Sequence, residues 1–220
     1  RGDPMLKMLV LYRRLLLGAL TTMAVYVAIV VPGVWLTDLS LFETYVFATP
    51  LLSMALPAMF GGGSMTNLAL SFGAPRRLCF WGWQLTSLLI AVLCLAMTWL
   101  TFALADGKMV ERNSIAWDWG GMSLLFAGCV FALQGSILSQ TVEKGWRRSL
   151  IVTAAWMLSF VLLMAVQVCI LLDDEPLFDV LRPVSIANPV WLAVSGGFLA
   201  AALVLGVIAR IRFAKVVVSL

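Results

Sequence analysis

The sequence of 220 residues contains no histidine. That absence removes many haem and metal sites, and it excludes a Ser-His protease and an H-E-x-x-H metalloenzyme. Charge is also scarce: Lys, Arg, Asp and Glu make up 12% of the chain, where soluble domains carry about a quarter. The four cysteines, Cys79, Cys94, Cys129 and Cys169, lie in or beside apolar runs, and no C-x-x-C pair occurs. They read as packing residues rather than as a disulfide framework. A phosphate-binding G-x-x-x-x-G-K-[ST] loop is missing as well, because the glycine-rich piece "GGGSMT" lacks the lysine. Asp173, Asp174 and Glu175 are the one acidic run, and it lies outside the apolar segments as a solvated cluster rather than an acid–base pair. No catalytic motif, metal site or cofactor is therefore expected in this chain.

What is present is apolar surface, at 62% of residues. A chain of this composition lies mostly in lipid, and its length allows one membrane domain. Residues 1–4 resemble a cloning remnant, which leaves residues 5–220 as a single domain. Charge-free runs cover residues 15–37, 44–75, 78–105, 119–142, 149–172 and 183–209. Each is long enough for the roughly 20 helical residues that cross a hydrocarbon core. The expected fold is all-α and integral to the membrane, with six transmembrane helices.

The flanking charges orient these spans. With the N-terminus inside, the inner segments hold Arg1, Lys7, Arg13, Arg14, Arg76, Arg77, Lys144, Arg147, Arg148, Arg210, Arg212 and Lys215. Only Lys108, Arg112 and Arg182 fall outside, together with nine of the 11 acidic residues. Basic residues near span ends set topology, so both termini are expected in the cytoplasm. Trp81, Trp83 and Trp146 near inner boundaries, and Trp35, Trp117, Trp119 and Trp191 near outer ones, fit aromatic belts.

Three segments are irregular. Residues 5–14 are apolar with Lys7 and Arg14 seven apart on one helix face, which predicts an N-terminal helix in the inner interface or an extension of the first span. The second run carries Pro50, Pro57 and Gly61-Gly62-Gly63, suited to a hinge, a close helix contact or an edge kink. Residues 173–189 mix acids with Leu177, Phe178, Val180 and Leu181 between prolines, which predicts short re-entrant or interfacial helices before the last span. Inside the runs the strongest polar residues are Gln84, Gln134, Gln140 and Gln167. Packing across helices is their ordinary role; Gln134 and Gln167, nearer the middle of their spans, are candidates for lining a pathway.

The inner turns "SFGAPRR" (71–77) and "TVEKGWRRSLI" (141–151), with "VSIANPVW" (184–191) before the last span, complete a pattern. On a six-span frame with inner termini, it resembles the permease subunit of a bacterial type-2 ATP-binding-cassette exporter. Bacteriocin- or lantibiotic-immunity and multidrug permeases are the most similar. In that family a Phe-Gly-x-x-Arg-Lys turn after the second helix docks on the ATPase. The resemblance thus implies docking through Ser71, Phe72, Gly73, Ala74, Pro75, Arg76 and Arg77, and through Lys144, Gly145, Trp146 and Arg147 in the second turn. Pro75 replaces a small polar residue of the family pattern, and Asn188-Pro189 stands for its Ser-Pro. The implied partners are ABC ATPase subunits that carry ATP and Mg, a second permease copy or paralog, and membrane lipids, with no nucleic acid. The implied location is the bacterial cytoplasmic membrane, and the implied cargo a hydrophobic or amphipathic peptide, drug or lipid moved outward. Nine acidic against three basic residues give the outer segments a formal charge of −6, a face suited to cationic peptides. A non-transporting assembly or sensor subunit and an ATP-independent carrier are the alternatives.

Overall fold

The computed structural model describes residues 4–36, 70, 73–104, 119–142, 145–171 and 189–214. Among these residues all regular secondary structure is helical, in five helices: α1 (Pro4–Leu36), α2 (Arg76–Leu104), α3 (Trp119–Ser139), α4 (Trp146–Leu171) and α5 (Pro189–Phe213). Their sequences are long, apolar and free of Asp and Glu. Such segments gain most from a conformation that satisfies every backbone group internally. Three stretches, Tyr12–Ile29, Arg76–Met97 and Leu192–Phe213, are long and apolar enough to cross a membrane. The runs 78–105, 119–142 and 149–172 coincide with α2, α3 and α4 to within three residues at each end, whereas α1 begins 11 residues before the run 15–37 and α5 begins six residues after the start of the run 183–209. The run 44–75 and the segment 173–188 fall almost wholly outside the described residues.

Local chemistry sets the helix starts. Pro4 and Pro189 are the first residues of α1 and α5, where the missing N–H has no intrahelical partner to lose. Pro75 carries the first acceptor of α2, its carbonyl receiving the N–H groups of Leu78 and Cys79. Gly145 does the same for Arg148 and Ser149 at the start of α4.

The helices pack around α3, which touches α4, α5 and α2, while α1 packs on α2. Leu124, Leu125, Ala127, Cys129, Ala132, Leu133 and Ile137 of α3 are all buried. The other helices keep apolar outer faces, including Leu17, Val25 and Ile29 on α1, Leu85 and Val92 on α2, and Leu203, Val207 and Ile211 on α5. In water such faces would be a liability; against acyl chains they are not.

Two buried clusters stack along the bundle. The middle one joins Ala19 and Met23 of α1, Ile90, Ala91 and Cys94 of α2, Leu125, Cys129 and Leu133 of α3, and Val152 and Trp156 of α4. The other joins Tyr12, Leu15, Leu70, Cys79, Phe80, Trp83, Ile137, Leu138, Ala209 and Phe213. Small residues draw α3 against α4. A Cβ on Gly135 would lie 2.3 Å from the Ala155 Cβ. Beside that contact the Trp156 indole donates to the Ser136 hydroxyl at 3.1 Å, and about two turns further along α3 the Ser159 hydroxyl donates to the Gly128 carbonyl at 2.9 Å.

Two expectations change. Residues 4–36 form one continuous helix, the extension of the first span rather than an interfacial helix followed by a separate span. Tyr12 and Leu15 are buried in the cluster that also holds Phe80 and Phe213, so core contacts extend into the N-terminal part of the helix. Trp83 is not an interfacial anchor: it is 3% exposed, its ring 5.7 Å from that of Tyr12. Trp81 and Trp146 are exposed, as anchors would be.

Candidate functional site

One end of the bundle gathers the start of α1, the start of α2, the turn between α3 and α4, and the end of α5. Residues flanking all four share the cluster of Tyr12, Phe80, Leu138 and Phe213, with Ala74 and Ile151 packed on it. Every arginine whose side chain is described lies at this end: Arg13, Arg14, Arg76, Arg77, Arg147, Arg148, Arg210 and Arg212. Asp and Glu do not occur among the described residues.

The arginines differ in what they touch. Arg210 and Arg212 occupy the last turn of α5, where the negative end of the helix dipole favours them. Arg76, Arg77, Arg147 and Arg148 open α2 and α4, whose first turns carry no acid. There the dipole opposes positive charge by about 0.3–1 kcal/mol per group. Arg76 offsets this by reaching across the bundle, donating to the Ala214 carbonyl just past α5 at 2.9 Å. Arg148 donates to the Gln140 amide oxygen, and the Arg147 guanidinium lies 5.8 Å from the ring centroid of exposed Trp146. Arg77 is exposed.

Gly73 shapes the first of the two turns. It adopts φ +77°, a left-handed conformation that costs a residue with a Cβ about 1–2 kcal/mol, and its N–H closes the turn on the Leu70 carbonyl at 3.0 Å. Ala74 then precedes Pro75, which holds it extended, and α2 begins. Pro75, Arg76 and Arg77 stand exposed while Ala74 is half-buried. Ser71, Phe72 and Lys144 lie outside the described residues.

Comparison with protein-family models, with curated proteins and with solved structures gives no match.

A second feature adjoins this end. Gln134 of α3 and Gln84 of α2 form a reciprocal amide pair: Gln84 Nε2 donates to Gln134 Oε1 at 2.9 Å, and Gln134 Nε2 donates back to Gln84 Oε1 at 2.6 Å. Gly206 of α5 presses on this pair, since a Cβ there would lie 3.2 Å from Gln134 Oε1. The pair floors a cavity of about 320 Å³ lined by Trp81, Gln84, Leu85, Ser87, Leu88, Val130 and Gln134. Over Trp81 sits the Arg210 guanidinium, 5.8 Å from the ring centroid. Gln134, expected as a pathway residue, is thus paired yet borders a cavity. Gln167 lies on α4, and its side chain is outside the description.

The sequence reading of Gln84 and Gln134 as residues that bond across helices holds, but it did not match the two to each other. A signal existed: Gln84 is seven residues from Arg77 and Gln134 nine from Glu143, so both lie at comparable depth from the same side. It missed Gly206, Arg210 and Ala214 because contacts between helices far apart in the chain leave no local pattern.

Proposed function

We propose that the chain is the membrane-spanning subunit of an ATP-driven exporter of hydrophobic or amphipathic molecules, resident in a bacterial cytoplasmic membrane. The carrying observation is the end at which all the described arginines gather, with no carboxylate among the described residues, and at which the turn of Gly73–Arg77 and the turn before Trp146 flank a single cluster. In this reading the end faces the cytoplasm and six spans cross the bilayer. Separate ATPase subunits that hold ATP and Mg dock there. The exposed positive charges suit an acidic partner surface, and the dipole opposition at the starts of α2 and α4 is relieved when anionic groups approach. Arg77, Trp146 and Arg147 supply the contact in this reading, while Arg76 braces the turn against the end of α5.

The test is co-purification with an ABC ATPase encoded beside this chain, followed by vesicle transport. Gly73→Val alters the turn without changing charge, and Arg77→Glu inverts the contact. Loss of the ATPase, or ATP hydrolysis without transport, is expected for both, with membrane insertion intact. Wild-type complex formation and coupling in both variants would overturn the proposal.

A further inference from the structure

The geometry points to a binding site for one anionic glycerophospholipid in the groove between α2 and α3, with its headgroup on Arg210. This rests on the membrane placement proposed above and not on transport. Along α2, inward from the arginine-bearing end, the groove presents Trp81 with Arg210 over its ring, then Gln84 paired with Gln134, then Leu85, Ser87 and Leu88, with Val130 opposite. Trp81 to Leu88 spans about 10 Å of helix. That order, cation then amide then hydrocarbon, is the order of a glycerophospholipid: phosphate, ester, acyl chain.

Each step has its chemistry. The Arg210 guanidinium is exposed, and no carboxylate among the described residues competes for it. The reciprocal pair uses one N–H and one oxygen lone pair of each amide, so each keeps a second N–H with which an ester carbonyl can bond. The cavity of about 320 Å³ falls at the small end of ligand sites, room for part of one acyl chain rather than a folded peptide. Leu85 and Leu88 are half exposed on its rim. Charge complementarity selects an anionic over a zwitterionic lipid.

Native mass spectrometry of the detergent-solubilised protein, titrated with phosphatidylglycerol or phosphatidylcholine of matched chains, tests this. One phosphatidylglycerol should be retained about fivefold better than phosphatidylcholine, the preference one interfacial arginine confers. Arg210→Gln should erase that preference while leaving chain binding. Leu88→Trp should fill the groove and weaken both lipids. Equal retention of the two lipids by the wild type, or a preference that survives Arg210→Gln, would overturn the site. So would disulfide-linked dimers of a Leu88→Cys variant in membranes, because a second copy would then cover the groove. Fractionation of the wild type with membranes tests the placement separately, so a failed lipid preference in a membrane-bound protein refutes this site alone.

Discussion

Gly135→Ala adds one methyl group at the tightest spot that any of the described glycines occupies. The new Cβ would lie 2.3 Å from the Ala155 Cβ, whereas carbon atoms rest at about 3.7 Å. The obstructing atom is itself a Cβ, so rotamer changes cannot relieve the clash and α3 and α4 must part by more than 1 Å. That displacement stretches the Ser159–Gly128 and Trp156–Ser136 hydrogen bonds, now 2.9 and 3.1 Å, past useful length. Overpacking costs about 1–3 kcal/mol, and each lost bond about 0.5–1.5 kcal/mol. Alanine's better helix propensity returns about 1 kcal/mol. The expected net loss is about 3 kcal/mol, read as an earlier midpoint in SDS-titrated unfolding from mixed micelles. Two companions sharpen the test. Gly197→Ala has open space around its new Cβ and should be neutral or stabilising. Adding Ala155→Gly to Gly135→Ala should recover most of the loss, as contacting residues couple. A Gly135→Ala protein as stable as Gly197→Ala, or one that Ala155→Gly does not rescue, would refute the close contact.

Gln84→Leu should destabilise by about 1 kcal/mol by stranding the Gln134 amide, and Gln84→Leu with Gln134→Leu should regain much of it in the same titration. Arg76→Gln removes the donor to Ala214; amide exchange over residues 210–214 should quicken while the helix centre is unchanged. Ser136→Ala takes the acceptor from the buried Trp156 indole and should cost about 1–2 kcal/mol. Arg77→Cys, in a background lacking the native cysteines, should react with an impermeant maleimide only from the cytoplasmic side of vesicles; reaction from the outer side alone would reverse the proposed orientation.

Helical class and most helix limits could be read from the sequence because lipid imposes one strong rule, a charge-free run long enough to cross. Within α2 that rule places Arg76 and Leu104 to within a few residues. It is silent on which face turns inward: Trp81 and Trp83 look alike as boundary tryptophans, yet one is exposed and the other buried. Period-3.6 patterning fades when the outer face is also apolar, so neighbouring helices rather than water decide burial. The Gly73 turn was legible because Gly-Ala-Pro carries its own backbone constraints. Arg210 on Trp81 and Gly206 on Gln134 were not, as each depends on how α5 lies against α2 and α3.

The position of α3 has a mechanical consequence. Glycine-mediated contact welds α3 to α4, and broad packing ties it to α5, while α1 and α2 make a second unit. Between the units lie the two apolar clusters, the reciprocal glutamine amides and the brace from Arg76 to Ala214, with the cavity beside them. In the proposed reading, force applied by a docked ATPase to the turn before α2 would be carried through these contacts to the cavity that Trp81 and Leu88 border.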